Sequence, residues 1–409
     1  MIVIRRLVTP LRQLAVLGAT LAVIEVGALA IHVPGADTVG SIERANLFVA
    51  VVAAGLVPYL LAVRLTLREH LPGRALWLVL GLAVAMRAAV LPAPPFLSSD
   101  IYRYVWDGRV QAAGINPYRH IPADPALAAL RDPTVYPLIN RRDYARTIYP
   151  PAAQAVFAAV GRISDTVLAM KLATLAFEAL GVLGLLGVLR IAGLPPGRIL
   201  IYAWNPLALW SFACDGHVDA LGIGLLGLAL WLRARHRDSF AGAALAAAAL
   251  VKVLPLAAAP AFVRGGSLMR PALVGLAVIA LLYLPYLGAG RDVFGFLAGY
   301  GAEEGYDTGA GYWLLAGLGH LGVPPQRCAC PTLRSRPRVS PRSGSGLPSG
   351  PIGAGRTPSR SAATPPCSPL SPPAPRARIT RGTIPGSASR RSWRRCPPRS
   401  GWARRRYYS

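Results

Sequence analysis

The sequence predicts an all-α membrane protein, a polytopic transmembrane helix bundle of about eight to ten spans, some of them short or broken. Of the 409 residues, 53% are hydrophobic and 15% are charged, and the mean hydropathy is +0.42. Soluble domains carry about 25% charged residues. The apolar residues also come in blocks near the length of about 20 residues that crosses a bilayer. These observations argue against a soluble enzyme.

The first apolar block, residues 14–31, follows the basic residues Arg5, Arg6 and Arg12. Positive charge is retained on the cytoplasmic side, so we expect this block to carry the chain outward. A signal peptide is the alternative, because Ala28-Leu29-Ala30 resembles a cleavage site. The apolar blocks that follow favour a span.

The long polar segment 91–149 is predicted to be extracytoplasmic. Three arginines lie between the next two blocks, residues 47–63 and Ala75–Val90, and the positive-inside rule makes that loop cytoplasmic. The chain then crosses outward before the polar segment begins. We expect a large, helical first outer loop there.

The remaining apolar blocks differ in length. Residues 150–161 are too few to span and are interpreted as an interfacial or re-entrant helix. Residues 240–263 are interrupted near Lys252 and Pro255, which predicts a hairpin of two half-helices that lines a site. The other predicted spans are residues 167–189, 199–213, 220–232, 272–287 and one that starts at 312–323.

The composition changes abruptly at residue 326. Residues 326–409 contain 18 Arg and no Lys, Asp or Glu, and such a segment is predicted to be disordered. It would be a basic arm for anionic lipid or for RNA, or the product of a frameshift near codon 326, which we favour because out-of-frame GC-rich sequence encodes Arg, Pro and Ser. Residues 1–325 form the predicted catalytic body. Much of the net charge of +26 belongs to the tail, so we expect no nucleic-acid partner.

The outer segment 98–118 carries the first candidate site. Two serines can cap a helix that begins near Asp100, and Asp100, Arg103, Tyr104 and Asp107 then share one face. The alternative is a solvated interfacial helix in which Asp100 pairs with Arg103.

A second group comprises Asp215, His217 and Asp219, between two short spans and near the same membrane side as Asp100. Ionisable residues at membrane depth cost roughly 2.5–3.5 kcal/mol, which marks them as functional candidates. A polar turn in water is the alternative. A divalent metal site is left open by the Asp and His side chains, although three ligands on one turn are weak evidence.

Other charges lie within the apolar blocks. Lys252 is surrounded by apolar residues and is expected either to bind an anionic ligand or to extend toward the interface. Arg87 lies near the end of an outward span. Lys171 and Glu178 are seven residues apart on one predicted helix and are expected to pair with other groups.

The sequence contains no GxxxxGK[ST], HExxH or GxSxG motif and no DxD motif. The pattern GxGxxG occurs at 222–227 and 317–322, but within apolar blocks predicted as spans and not between a strand and a helix. ATP, NAD, zinc protease and serine hydrolase chemistry therefore lack support, as does a metal-bound sugar nucleotide. We expect no cofactor.

Four segments occur in order along the chain: SSDIYRYVWDGRVQAAGINPY at 98–118, TIYPPAAQAVF at 147–157, WNPLALWSFACDGHVDALG at 204–222 and LVKVLPL at 250–256. Together they resemble the GT-C superfamily of integral membrane glycosyltransferases, most of all its bacterial polyprenyl-phosphate-mannose-dependent mannosyltransferases. The resemblance covers about residues 75–290.

The resemblance implies a polyprenyl-phosphate-linked sugar donor, by family mannose, and a glycan or glycolipid acceptor of the cell envelope. The reaction would take place on the outer face of the bacterial plasma membrane. It also implies a carboxylate in the first large outer loop, a position that Asp100 matches and Asp107 matches less well. Such enzymes typically have ten or more spans, so a chain that had lost its C-terminal spans would be inactive.

Chemical reasoning assigns further roles. The acceptor hydroxyl needs a general base, for which a carboxylate serves, and the departing lipid phosphate needs fixed cations. Arg103, Lys252 and Arg87 are the predicted phosphate ligands. The predicted acceptor-binding or supporting residues are Asp107, Tyr104, Asp215, His217 and Asp219.

Two other function classes compete. A polytopic transporter or lipid-sugar flippase, without covalent chemistry, would also use broken helices and intramembrane charges. A non-catalytic membrane scaffold with a basic cytoplasmic arm is the third class. Sugar flux without transfer would favour the transporter.

Overall fold

A computed structural model describes residues 9–31, 41–263, 269–303 and 305, and within these ranges the protein is a helix bundle without β-strands. The all-α prediction is confirmed. The predicted span at 312–323 and the tail at 326–409 lie outside the described residues.

Thirteen α-helices make up the described part of the chain. They are α1 Pro10–Gly27, α2 Ser41–Ala54, α3 Leu56–Arg68, α4 Ala75–Val90, α5 Asp100–Ala112, α6 Pro151–Ile163, α7 Val167–Ile191, α8 Leu200–Ala203, α9 Pro206–Ala208, α10 Asp219–Ala234, α11 Asp238–Ala249, α12 Met269–Tyr283 and α13 Leu297–Glu303. Short 3-10 segments occupy Ala28–Ala30, Pro125–Leu130, Tyr136–Leu138, Pro196–Ile199, Leu254–Phe262 and Leu284–Phe294, and a π-helix occupies Leu209–Cys214.

Four helical stretches in the described residues are long and apolar enough to cross a membrane: Pro10–Ala30, Glu43–Arg68, Val167–Ile191 and Met269–Glu303. A fifth candidate is the bent pair Pro206–Cys214 and Asp219–Ala234, whose two parts meet at 119°. Helices α4 and α11 are apolar but shorter. The protein is therefore a polytopic membrane protein.

Residues 199–213, predicted as a single span, are broken instead. Helix α8 ends at Ala203, and Asn205 caps a new short helix through a hydrogen bond from the Leu207 N–H to its side chain. Pro206 has no N–H to continue the preceding helix. The chain then proceeds through the π-helix Leu209–Cys214. This prediction was wrong because the Asn-Pro pair restarts the helix.

The break predicted near Lys252 is present. Helix α11 ends at Ala249, Lys252 lies in the gap, and 3-10 turns begin at Leu254. The second half of the predicted hairpin is therefore not an α-helix.

Two large apolar clusters organise the described part of the bundle. One joins α1, α3 and α4 to the broken segment that contains Trp204 and Trp210. The other surrounds α5 and α6 and includes Trp106 and Phe157. Helices α5 and α6 approach closely at Gly108, where an added Cβ would lie 2.5 Å from the Phe157 carbonyl oxygen.

Helix α5 is buried on most sides, with nine of its 13 residues enclosed. It is therefore not the solvated interfacial helix that was the alternative for segment 98–118. Its N-terminal residue, Asp100, remains partly exposed, with 28% of its side-chain surface accessible. The fold thus presents one end of a buried helix at a surface.

Candidate active site

Asp100 is the first residue of α5, as the sequence predicted. The Ser98 Oγ accepts a hydrogen bond of 3.3 Å from the Asp100 N–H, whereas Ser99 occupies the cap position without a side-chain hydrogen bond. The expected cap is thus formed by only one of the two serines. This arrangement places the Asp100 carboxylate at the start of the helix, where the N–H groups favour negative charge.

The turn between the π-helix and α10 brings His217 to Asp100. Gly216 has φ of +63°, a conformation that favours glycine, and an added Cβ would overlap Ile101 Cδ1 in the first turn of α5. The His217 N–H donates to the Ser211 carbonyl at 2.8 Å. The Tyr104 hydroxyl accepts from the Val218 N–H at 3.4 Å. The turn is therefore packed directly against α5.

Four residues predicted separately from the sequence meet in a single line of alternating charge, which we call the charge chain: Asp100, His217, Asp219 and Lys252. His217 Nε2 lies 3.6 Å from Asp100 Oδ2, and His217 Nδ1 lies 2.6 Å from Asp219 Oδ2. Lys252 Nζ lies 2.9 Å from Asp219 Oδ1. Lys252 ends the chain with 51% of its side chain exposed.

The electrostatics of this chain favour the charged forms. Burial raises the pKa of Asp100, but the interactions with His217 and Asn140 outweigh it, so its pKa lies below the ordinary 3.8. Burial lowers the pKa of His217, but the interactions with Asp100 and Asp219 outweigh this effect and raise the pKa to about 9. At neutral pH a protonated His217 therefore lies between two carboxylates.

Sequence reasoning missed Asn140 and Arg141. The Asn140 Nδ2 donates a 2.6 Å hydrogen bond to Asp100 Oδ1, and the Arg141 charge also lowers the pKa of Asp100. Arg141 Nε donates to Glu303 Oε2 at 2.7 Å. They lie 40 and 41 residues beyond Asp100 in a segment without helical periodicity, and the polar run at 140–143 was the only available signal.

The family comparison matches residues 12–265, which include every member of the charge chain. The matched model is that of the alpha-(1->6)-mannopyranosyltransferase, N-terminal domain. The chain belongs to this mannosyltransferase family. A search of curated proteins and a search of solved structures gave no match. The expected glycosyltransferase class is thereby confirmed.

In this mannosyltransferase, Arg103 and Asp107 lie one and two turns into α5, within the protein. Arg103 Nε donates to Asp107 Oδ1 at 2.8 Å, and their side chains are 5% and 2% exposed. The second Asp107 oxygen accepts from Gln154 Nε2 at 2.8 Å. Arg103 therefore pairs with Asp107 and not, as the alternative had it, with Asp100.

Arg87 lies apart from the charge chain. Its guanidinium donates two hydrogen bonds to the Glu178 carboxylate, at 2.8 and 2.6 Å, and a third to the Ala203 carbonyl. The Glu178 side chain is buried. The geometry thus fixes Arg87 between helices, and it does not bring Arg87 to Asp100.

Asp215 and Tyr104 contact the backbone of the segments that carry the site. Asp215 accepts from the Phe96 N–H at 2.8 Å. The Tyr104 ring stacks on Phe157, with centroids 4.7 Å apart. Among the described residues, no three His, Cys, Asp or Glu side chains are placed to hold a metal ion, so Asp215, His217 and Asp219 do not converge as ligands.

Proposed function

We propose that this mannosyltransferase moves mannose from a polyprenyl-phosphate donor to a hydroxyl of a glycan or glycolipid, on the extracytoplasmic face of the bacterial plasma membrane. Asp100 acts as the general base. The observation that carries the proposal is the charge chain from Asp100 to Lys252, which places an ionised carboxylate and a cation at one partly exposed site.

Asp100 is favoured over Asp107 as the base because of access. Both Asp107 oxygens bind neighbouring side chains in the interior. Asp100 is partly exposed, and its lowered pKa keeps it ionised throughout the physiological range. Asn140 and His217 hold the two carboxylate oxygens, which fixes the orientation of the base.

The proposed step is a single inverting displacement. The acceptor hydroxyl gives its proton to the Asp100 carboxylate, and its oxygen forms the new bond to the anomeric carbon. The bond from that carbon to the phosphate oxygen breaks, and the electron pair leaves with the polyprenyl phosphate. By analogy with glycoside hydrolysis, the transition state resembles an oxocarbenium ion.

The leaving phosphate gains negative charge and requires a cation. Of the three cations predicted for this role, Lys252 lies in the charge chain, whereas Arg103 and Arg87 have carboxylate partners elsewhere. We therefore assign the donor phosphate to Lys252. Lys252 lies in the break between α11 and the turns at Leu254–Phe262, and its side chain is half exposed.

Physical constraints favour a lipid-linked donor and the extracytoplasmic face of the membrane. ATP and sugar nucleotides are not supplied outside the cell, so an activated sugar used there must arrive on a lipid. The arginine distribution of the sequence supports an extracytoplasmic position for residues 91–149 and for the turn that carries His217. The site at the end of α5 adjoins helices of membrane-spanning character.

Stereochemistry gives a further requirement. The family model is that of an enzyme that forms an alpha-(1->6) linkage. If this chain forms the same linkage by inversion, its donor must carry mannose in the β configuration. The attacking group is then the primary hydroxyl at carbon 6 of the acceptor sugar.

The test uses the purified chain in lipid nanodiscs with radiolabelled polyprenyl-phosphate mannose and an α-mannoside acceptor. We expect labelled disaccharide and an equal amount of polyprenyl phosphate. Nucleoside-diphosphate mannose, as the matched donor control, should give no product. Product from the nucleotide donor would contradict the lipid donor. Reconstitution of the chain in vesicles tests the alternative function of a lipid-sugar flippase. Donor that crosses the bilayer without forming product would favour that function.

A further inference from the structure

The segment 91–99 delivers Asp100 to the site without regular structure of its own. It contains Pro92, Pro94 and Pro95, and it lies between the end of α4 and the start of α5. Prolines lack the N–H groups that would pair the segment along a helix. Its remaining backbone groups need partners from other elements.

Lys171 of α7 supplies the first of these partners. Its Nζ donates to the Ala93 carbonyl at 2.5 Å and to the Leu91 carbonyl at 3.3 Å. Lys171 is only 2% exposed, and no carboxylate within the described ranges lies at ion-pair distance from it. A buried ammonium group requires such hydrogen bonds. The mechanism proposed above does not use this charge.

Asp215 supplies the second partner from the opposite end of the segment. Its Oδ1 accepts from the Phe96 N–H at 2.8 Å, and it is 5% exposed. The charges of Asp215 and Lys171 also attract one another. Asp215 lies two residues before His217, so one turn binds both the segment and the Asp100 carboxylate.

We propose that Lys171 and Asp215 form a clamp that positions Asp100 against His217, an inference that rests on the proposed role of Asp100 as base. Gly216 allows the close packing of the clamp, because an added Cβ would overlap Ile101 and lie 3.1 Å from Lys171 Cγ. Lys171 and Asp215 are positioning residues that touch no substrate. Loss of either side chain displaces the Asp100 carboxylate but leaves Lys252, the proposed phosphate ligand, in place.

The experiment compares Lys171→Met and Asp215→Leu with the matched controls Lys171→Arg and Asp215→Asn. The first pair removes the hydrogen bonds to the segment, and the second pair retains a donor or an acceptor. We expect kcat to fall about 10²-fold in the first pair, as for a misplaced catalytic group, with donor and acceptor KM within about threefold. The controls should recover at least a tenth of the wild-type kcat.

Amide hydrogen exchange supplies a readout besides activity. In Asp215→Leu, the amide of Phe96 should lose protection, while peptides from α10 and α11 exchange as in the wild type. Wild-type kcat in both Lys171→Met and Asp215→Leu would overturn the clamp, as would unchanged exchange in segment 91–99.

The clamp and the proposed function fail in distinguishable ways. If the wild type transfers no mannose from the lipid donor but Asp215→Leu still frees segment 91–99, the donor assignment fails and the clamp on the segment is supported. If the wild type transfers mannose and the clamp variants match it, the clamp fails and the proposed function is unaffected.

Discussion

His217 Nε2 lies 3.6 Å from Asp100 Oδ2, while the other ring nitrogen of His217 lies 2.6 Å from Asp219. One imidazole therefore connects two carboxylates that are 119 residues apart in sequence. Only the protonated ring has a hydrogen on both nitrogens and can serve both carboxylates at once. Both contacts of His217 therefore require the protonated ring.

Transfer should decline at alkaline pH. The pKa of His217 is about 9, and above it the ring can donate to only one of its two carboxylates. We expect kcat to fall through an apparent pKa near 9 and to stay constant down to pH 6, because the pKa of Asp100 lies below 3.8. The measurement is kcat against pH. In His217→Gln the rate should be lower and the alkaline limb absent; an unchanged limb would assign it to another group.

The stability of the folded protein should also depend on the protonation of His217. The pKa of His217 is raised above its ordinary 6.5, so its stabilising contribution is fully present below pH 6.5 and is lost as pH rises through about 9. The midpoint of thermal unfolding in detergent should therefore decrease between pH 6.5 and 9.5. This decrease should be smaller in His217→Gln. An equal decrease in both proteins would contradict the assignment.

Lys252→Met should raise the KM for the lipid donor. A hydrogen bond to a charged group contributes about 1.5–3 kcal/mol, and because Lys252 is half exposed we expect the lower end, roughly a tenfold increase. Initial rates at varied donor concentration measure it. Lys252→Arg, which keeps the positive charge, is the matched control. If kcat falls while the donor KM is unchanged, Lys252 acts through Asp219 and not on the phosphate.

Arg103→Met should destabilise the protein instead of weakening donor binding. Removing one partner of a buried ion pair costs about 3–5 kcal/mol, and Arg103 and Asp107 are both almost fully enclosed. The control is Arg146→Met, whose pair with Asp292 is about half exposed and is worth less than about 1 kcal/mol. Denaturant unfolding in detergent compares them. An Arg103→Met protein of wild-type stability with a raised donor KM would support the sequence-based role of Arg103 as a phosphate ligand.

The sequence was most informative where one local signal decides the outcome. The apolar block at Ala75–Val90 is α4 with the same bounds, and the helix predicted from Asp100 begins at that residue. The break at Lys252 was visible as a charge and a proline within an apolar run. Residues 199–213 misled because hydropathy takes no account of the Asn-Pro restart at Asn205.

Pairings between distant segments could not be predicted in the same way. Arg87 and Glu178 were both recognisable as charges within apolar blocks, but their 91-residue separation gives no signal that they meet. Asn140 is still harder to find, because an amide in a polar loop resembles any solvated residue until the loop folds over Asp100. Local periodicity predicts elements, and the contacts between them depend on the packing of the whole bundle.

The most direct test of the account is mannose transfer from polyprenyl-phosphate mannose by Asp100→Asn. The amide keeps the size of the carboxylate and one accepting oxygen, but it carries no charge and cannot take the acceptor proton. We expect kcat to fall by about 10²–10⁴-fold. The matched control is Asp143→Asn, since Asp143 is a largely exposed aspartate of the same loop, and it should transfer at the wild-type rate. Near-normal transfer by Asp100→Asn would contradict the account.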